Sequence, residues 1–241
     1  MCFAPAGSGP PSLKKPDAVI FDMDGVLFDT ERLYQEAARI AGNDMGRSIS
    51  AGLLERMVGL SWPGTRALFF ETFGSSFPLD EFFAAWFRRF EELAAARHLL
   101  KPGASELILM LDEFAIPRAI ATGSTRANVE QHLTVHSLAN RFHAIVADGD
   151  YAAGKPAPDP FLIAAERLAV DPRLCVAIED SHNGVRSAAA AGMMTIMVPD
   201  LVAPSEEIQA MCVHVARDLH EVEELLRAAV TPALVQKSIV G

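Results

Sequence analysis

Four segments of this chain hold residue types that can do chemistry together. Asp22-Met23-Asp24-Gly25 sets two carboxylates two residues apart, directly after the apolar run 18–21. Two such acids can face one crevice when the chain leaves a strand in an extended form, and Gly25 permits a tight turn after them. Thr122-Gly123-Ser124-Thr125 supplies hydroxyls and backbone N–H groups just before a helical pattern. That combination suits a phosphate, although Ser and Thr also serve as ordinary helix caps. Lys155 stands before the rigid Pro156-Ala157-Pro158, where it is a positioned point charge useful against phosphate. Glu179-Asp180 ends another apolar run. Adjacent acids at the end of a buried strand are costly unless a cation or donors meet them. Joined with Asp22 and Asp24 they would make an all-oxygen set, the preference of Mg2+. Alternatively, Asp180 or Ser181 caps the next helix.

Short apolar runs must carry these residues. They fall at 18–21, 118–122, 144–147, 175–179, 195–198 and 213–216, nearly all uncharged and 4–5 residues long. This pattern predicts strands buried on both faces. Amphipathic segments at 104–114, 126–139, 159–169, 181–191, 204–211 and 219–229 predict helices between them. The alternation is that of an α/β protein with a mostly parallel sheet and helices on both sides. Ligands of such sheets bind outside the carboxyl ends of the strands, where the four segments lie.

One interval breaks the rhythm. Residues 30–100 read as helical throughout, at 31–41, 51–57, 63–73 and 80–98. Phe82, Phe83, Trp86, Phe87 and Phe90 recur at helical spacing and read as a packing face. The chain therefore divides into a flexible lead over 1–15, a core formed by 16–29 with 101–241, and a helical insertion over 30–100. Lys101-Pro102-Gly103 is a natural hinge back into the core.

Composition bounds the partners. The 241 residues can bury about 70% of the extended chain's surface, enough for a core without disulfides. The formal charge of −10, with no Lys/Arg block, argues against nucleic acid or anionic lipid. No uncharged run reaches the length of a spanning helix, so no membrane partner is expected. Cys2, Cys175 and Cys212 are odd in number and lack metal-ligand spacing, which suits a reducing cytoplasm. The apolar fraction permits a homodimer without demanding one, so monomer and homodimer both stand.

In their order and spacing, Asp22-Met23-Asp24-Gly25, Thr122, Lys155 and Glu179-Asp180 resemble the four motifs of the haloacid dehalogenase superfamily. The resemblance runs from about residue 17 to 228. It includes the insertion, which resembles the cap of the branch holding sugar-phosphate phosphatases and β-phosphoglucomutase. It implies a Rossmann-like parallel-sheet core with an inserted all-helical cap. It further implies that Asp22 is the nucleophile and Asp24 the general acid and base. Mg2+ would be held by Asp22, the main-chain carbonyl of Asp24 and Asp180, with Glu179 helping from behind or through a bound water. Thr122, Gly123 and Lys155 would hold the phosphoryl group. Gly59 and Trp62 match a cap loop facing the substrate, and Ser124 and Arg126 could touch its non-reacting end.

The activity implied is Mg2+-dependent hydrolysis of a small phosphorylated metabolite through an aspartyl-phosphate. Mutase relatives carry a His in the first cap helix and basic residues flanking the cap-loop Gly. The matching positions here are Tyr34, Val58 and Trp62, which favours a phosphatase over a phosphosugar mutase. A dehalogenase needs a nucleophilic Asp but no metal, leaving Asp24 with Asp180 unexplained. A non-catalytic ligand-binding protein on the same fold is the remaining alternative.

Overall fold

The computed structural model describes residues 13–57, 62–95, 97 and 99–231. Ala18-Val19-Ile20-Phe21 has no charge on either alternating set, and it forms the fully buried strand β1 (Ala18–Phe21). Four helices follow without a strand: α1 (Glu31–Asp44), α2 (Ala51–Met57), α3 (Trp62–Phe73) and α4 (Leu79–Ala95). The core then resumes as α5 (Ala104–Glu113), β2 (Arg118–Thr125), α6 (Arg126–Val135), β3 (Ala144–Asp148) and α7 (Asp159–Leu168). It closes with β4 (Cys175–Glu179), α8 (His182–Ala190), β5 (Met194–Met197), α9 (Glu206–Met211), β6 (His214–Val215) and α10 (Leu219–Val230).

The six strands form one parallel sheet in the order β3-β2-β1-β4-β5-β6. Chain order runs outward to one side as far as β3, then returns to continue beside β1. The point of reversal therefore lies between β1 and β4, and open α/β sheets bind ligands at that crevice. Phe21 is in register with Ile178, and the Asp22 amide donates to the Ile178 carbonyl at 2.9 Å. The acids that follow both strands are thereby brought to one place.

Side-chain alternation sets the two faces of the sheet. Val19, Phe21, Val176 and Ile178 pack with Leu107 and Leu111 of α5 and with Val222 and Leu226 of α10 on one face. Ala18, Ile20, Ala119 and Ala177 face the other way against Phe161, Ala164 and Ala165 of α7. The small strand residues let α7 approach closely. The larger face continues through Met23, Leu27 and Phe28 into the helical insertion, as one apolar core.

Within the insertion Phe69 is fully buried and touches Phe73, Phe77, Phe82, Phe83 and Trp86. The expected aromatic face of α4 is thus a packing face. The Trp86 indole N–H donates to the Tyr34 carbonyl at 2.7 Å, tying α4 to α1. Two backbone bonds form the hinge: Asp29 N–H to Leu99 at 2.7 Å, and Lys101 N–H to Leu27 at 2.9 Å. Lys101 also pairs with the buried Asp200 carboxylate at 2.9 Å, fixing the return segment to the core.

Several boundaries differ from the sequence pattern. The second strand runs on to Thr125, with a break in register after Ala121. The following helix stops at Val135 rather than 139, because Ser137 adopts φ +60° and cannot continue a right-handed helix. The last helix of the insertion ends at Ala95. Residues 1–12 of the expected lead lie outside the described residues. Among the described residues no helix is long and apolar enough to cross a membrane.

Phe69→Ala removes the centre of the aromatic cluster. It is expected to destabilise the protein by about 3–5 kcal/mol, read as a lowered urea midpoint; an unchanged midpoint would show that the cluster does not hold the insertion together.

Candidate active site

The chain leaves β1 through a tight loop in which Gly25 N–H donates to the Phe28 carbonyl at 2.8 Å and Leu27 N–H to Met23 at 2.9 Å. Gly25 has φ +82°, and a Cβ there would lie 2.2 Å from an Asp180 carboxylate oxygen. The glycine is needed twice, for the turn and to admit Asp180 beside it. Asp22, Asp24 and Asp180 are therefore gathered across the β1/β4 crevice.

Lys155 reaches the same crevice from the loop before α7. Its ammonium donates to Asp22 Oδ1 and to Glu179 Oε1, the latter at 2.6 Å, and stands 5.0 Å from the Phe161 ring centroid. Burial works to lower the Lys155 ammonium, but Asp22 and Glu179 outweigh it and hold the group charged well above its ordinary range. Burial is likewise the main force on Asp22, raising its carboxyl, while Lys155 opposes that and Glu179 and Asp24 add to it.

Glu179 is fully buried. Its Oε1 takes Lys155, and its Oε2 accepts from Asp180 N–H at 3.0 Å, Ser181 N–H at 3.2 Å and the Ser181 hydroxyl at 3.1 Å. This geometry gives Glu179 the task of anchoring Lys155, with both of its carboxylate oxygens already engaged by donors. A Cβ on Gly184 would fall 1.8 Å from the Glu179 carboxyl carbon, so the first turn of α8 admits Glu179 only because residue 184 has no side chain. Ser181 also caps α8, accepting from Gly184 N–H at 3.1 Å.

The hydroxyl segment divides its labour. Thr125 caps α6, accepting from the Asn128 amide. Thr122 is buried and accepts from Ser124 N–H at 3.0 Å, while its carbonyl takes the Tyr151 hydroxyl at 3.2 Å. A Cβ on Gly123 would meet nothing within 4 Å, so the backbone there borders open space. Ser124 does not stand apart for a remote contact: its hydroxyl donates to Asp24 Oδ2 at 2.7 Å. The buried Thr30 hydroxyl donates to Asp24 Oδ1, also at 2.7 Å. Both carboxylate oxygens of Asp24 are thus held.

Arg126 lies elsewhere. Its guanidinium pairs with Asp150 at 2.6 Å and donates to the Ile145 carbonyl at 3.0 Å. Arg167 joins the same two groups. The clasp ties α6 and α7 to the edge strand β3, a structural task in place of the expected substrate contact. Gly59 and Val58 lie outside the described residues, and of Trp62 only the backbone that opens α3 is described.

The same donor set fits a cation. Asp22, Asp24, Glu179 and Asp180 oppose one Lys155, an excess of negative charge in a largely buried crevice. Among the described residues no three His, Cys, Asp or Glu side chains converge into a ready cage. A small hard dication is commonly held by one or two carboxylates with carbonyl, water and ligand oxygens. Asp22 and Asp180 with the Asp24 carbonyl fit that description.

An anion-ready loop, a buried lysine and a carboxylate cluster at one switch point narrow the reading to phosphate chemistry. A model of the haloacid dehalogenase-like hydrolase family matches residues 16–192. The chain belongs to this family of enzymes. A Drosophila melanogaster protein named a probable pseudouridine-5'-phosphatase is 36% identical over 194 residues, covering 78% of this chain and 84% of that one. The (DL)-glycerol-3-phosphatase 2 of Arabidopsis thaliana is 36% identical over 190 residues, covering 76% and 79%. CbbY from Rhodobacter sphaeroides, solved in complex with phosphate, superposes with a TM-score of 0.74 at 28% identity, covering 86% of this chain and 96% of that chain. The Rossmann-type fold inferred from the sequence is the fold of this family.

Three contributors were missed by sequence reasoning. Thr30 follows Asp29 at the end of the first motif, and Gly184 closes Ser181-His182-Asn183-Gly184; both positions lie close enough to a motif to have been asked about. Tyr151 gives no local signal.

Gly184→Ala is expected to cost about 1–3 kcal/mol, as overpacking does, whereas Gly123→Ala should unfold with the wild-type midpoint. Equal behaviour of the two variants would remove the steric account of Glu179. Asp150 offers a pH test. The Ala147 amide first, then Arg167 and Arg126, hold its carboxyl down to about 2. A carboxylate depressed from about 3.9 stabilises the fold above that ordinary value and loses the effect as pH falls toward 2. The gap in urea midpoint between wild type and Asp150→Asn should therefore narrow between pH 6 and pH 3; a gap independent of pH would exclude the charge as its cause.

Proposed function

We propose that this enzyme is a Mg2+-dependent phosphatase that hydrolyses a small phosphomonoester through an aspartyl-phosphate on Asp22. The observation that carries the reading is the buried Lys155, bonded to both Asp22 and Glu179. It is supported by the phosphatase names of the relatives and by the phosphate bound in the CbbY structure.

A carboxylate oxygen of Asp22 attacks phosphorus, and the bond from phosphorus to the ester oxygen breaks. The departing oxygen would be a poor leaving group as an alkoxide, so Asp24 in its acid form gives it a proton. The alcohol leaves. Asp24, now a carboxylate, takes a proton from water, whose oxygen attacks phosphorus and releases inorganic phosphate with Asp22 restored. Thr30 and Ser124 hold Asp24 in place by bonds to its two oxygens. Lys155 and Thr122 meet the phosphoryl oxygens and offset their charge. Lys155 also lets the Asp22 carboxylate approach a dianionic ester without prohibitive repulsion.

Mg2+ would be held by Asp22, Asp180 and the Asp24 carbonyl, and when bound it supplies charge neutralisation to the phosphate and the acids. Residues 30–100 act as a cap on the core, excluding water during the first step. A cytoplasmic setting follows from the reading of the cysteines.

Release of phosphate from p-nitrophenyl phosphate should require Mg2+, stop with EDTA, and fall at least about a thousandfold in Asp22→Asn, as loss of a nucleophile does. Activity that survives either the chelator or the substitution would overturn the mechanism.

A further inference from the structure

Tyr151 joins the hydroxyl segment to the lysine loop. It lies in the loop after β3, and its hydroxyl donates to the Thr122 carbonyl at 3.2 Å. Its half-buried ring packs with Phe161 and Ala121, and a Cβ on Gly154 would meet Tyr151 Cε2 at 3.4 Å. The ring therefore borders the residue before Lys155. Burial raises the Tyr151 hydroxyl above its ordinary range, with Asp148 adding to this and Lys155 opposing it, so it is a protonated donor at neutral pH. The backbone before Tyr151 is fixed. One Asp150 oxygen accepts from Ala147 N–H, Arg126 and Arg167, and Asp150 N–H donates to the Ala147 carbonyl at 3.0 Å.

The Thr122 carbonyl and the Gly123 N–H belong to one peptide unit, and in a planar trans peptide they point opposite ways. β2 lies between β3 and β1 in the sheet. A carbonyl turned toward Tyr151, on the β3 side, therefore turns the Gly123 N–H toward the β1 side. Phe21 is in register with Ile120, so this segment stands level with the loop that follows β1 and carries Asp22 and Asp24. Ser124, one residue on, donates to Asp24 there. Gly123 is the weak point of the arrangement. Its φ lies outside the left-handed range, and nothing within 4 Å of a Cβ would crowd it. Glycine takes positive φ about as readily as negative, so residue 123 by itself does little to stop this peptide from flipping. A flipped peptide would present a carbonyl oxygen where a donor is needed.

We propose that Tyr151 is a positioning residue, whose hydroxyl locks the Thr122–Gly123 peptide so that the Gly123 N–H is aimed at the phosphoryl oxygens. The inference rests on the phosphatase reading and adds to it a residue outside the four motifs. Tyr151 acts through the backbone of the phosphate-binding segment and does not itself touch the ester.

Tyr151→Phe keeps the ring and removes the hydroxyl. With the full chain in Mg2+, its kcat/KM for p-nitrophenyl phosphate is expected to fall about three- to tenfold, the worth of one neutral hydrogen bond. Inhibition by inorganic phosphate should weaken by a similar factor. The Mg2+ concentration for half-maximal rate should stay within about twofold, since the carboxylates keep their places. The decisive arm is Gly123→Ala, because a Cβ makes the positive φ of a flipped peptide costly without help from Tyr151. In that background, the further loss caused by Tyr151→Phe should shrink to within about twofold. An undiminished loss there, no loss in Tyr151→Phe alone, or equal losses of Mg2+ and phosphate affinity would overturn the proposal. Calorimetry of inorganic phosphate binding in Mg2+ gives a readout that needs no turnover. If no ester releases phosphate, the phosphatase reading fails; weaker phosphate binding by Tyr151→Phe than by wild type still supports the lock, and equal binding, or none by wild type, rejects it. Should Tyr151→Phe not fold, Tyr151→Leu takes its place, judged by the same ratios.

Discussion

Two carboxylates, Asp22 and Glu179, are buried at the ends of adjacent strands, and a single ammonium joins them. Removing an ion from water costs several kcal/mol even after relaxation, so buried acids call for a charge partner close by. Lys155 makes the pair tolerable, and much of the neighbouring structure exists to place it. Phe161 supports its charge from one side. Glu179 is fixed from the other by the Asp180 and Ser181 amides and the Ser181 hydroxyl. Gly184 gives Glu179 its room. One lysine does not balance four acids, and a bound dication is the kind of group that would offset the remainder.

The sheet explains why these residues meet although they are far apart in sequence. Asp22 and Glu179 are 157 positions apart, yet β1 and β4 are neighbours in register. Their adjacency follows from the strand order, in which the chain returns to the centre after building one side. That return also makes the crevice, since the helices after β1's side and after β4 leave on opposite sides of the reversal.

The acids and the hydroxyls were legible because each ends a short uncharged run, and such runs in an alternating chain have little choice but to be parallel strands; the lysine was legible from the rigid Pro156-Ala157-Pro158 that follows it. The two faces of β1 were equally legible, from Val19 and Phe21 against Ala18 and Ile20. Side-chain direction was not. Arg126 and Ser124 are two residues apart, one opening α6 and the other near the end of β2, and both were candidates for a substrate contact. The structure sends Arg126 to Asp150 and Ser124 to Asp24. Nothing in their local sequence separates these fates, because the deciding partners come from β3's loop and from β1. The task of Glu179 was left open for a similar reason. An acid beside Asp180 suggests a ligand, and only the three-dimensional position of Lys155 and two backbone amides shows its oxygens already engaged. Helix ends failed locally: the pattern to residue 139 is amphipathic, but the positive φ of Ser137 stops it.

The orientation of Asp24 depends on two parts of the molecule at once. One oxygen is held by Ser124, which belongs to the segment leaving β2, and the other by Thr30, which leads into α1. Thr30 sits just past the hinge bond between Asp29 and Leu99, and Tyr34 follows it by one turn. A rotation of α1 about its first turn would carry Thr30 with it and stretch a 2.7 Å bond to the acid. Such a rotation would also move Tyr34 and, through their stacking, load Phe90 and α4. Lys101, anchored on Asp200, resists movement of the returning segment. The position of the helical insertion and the orientation of Asp24 are therefore linked through Thr30, and under the proposed mechanism residues that never touch phosphate would set how well the leaving oxygen is protonated.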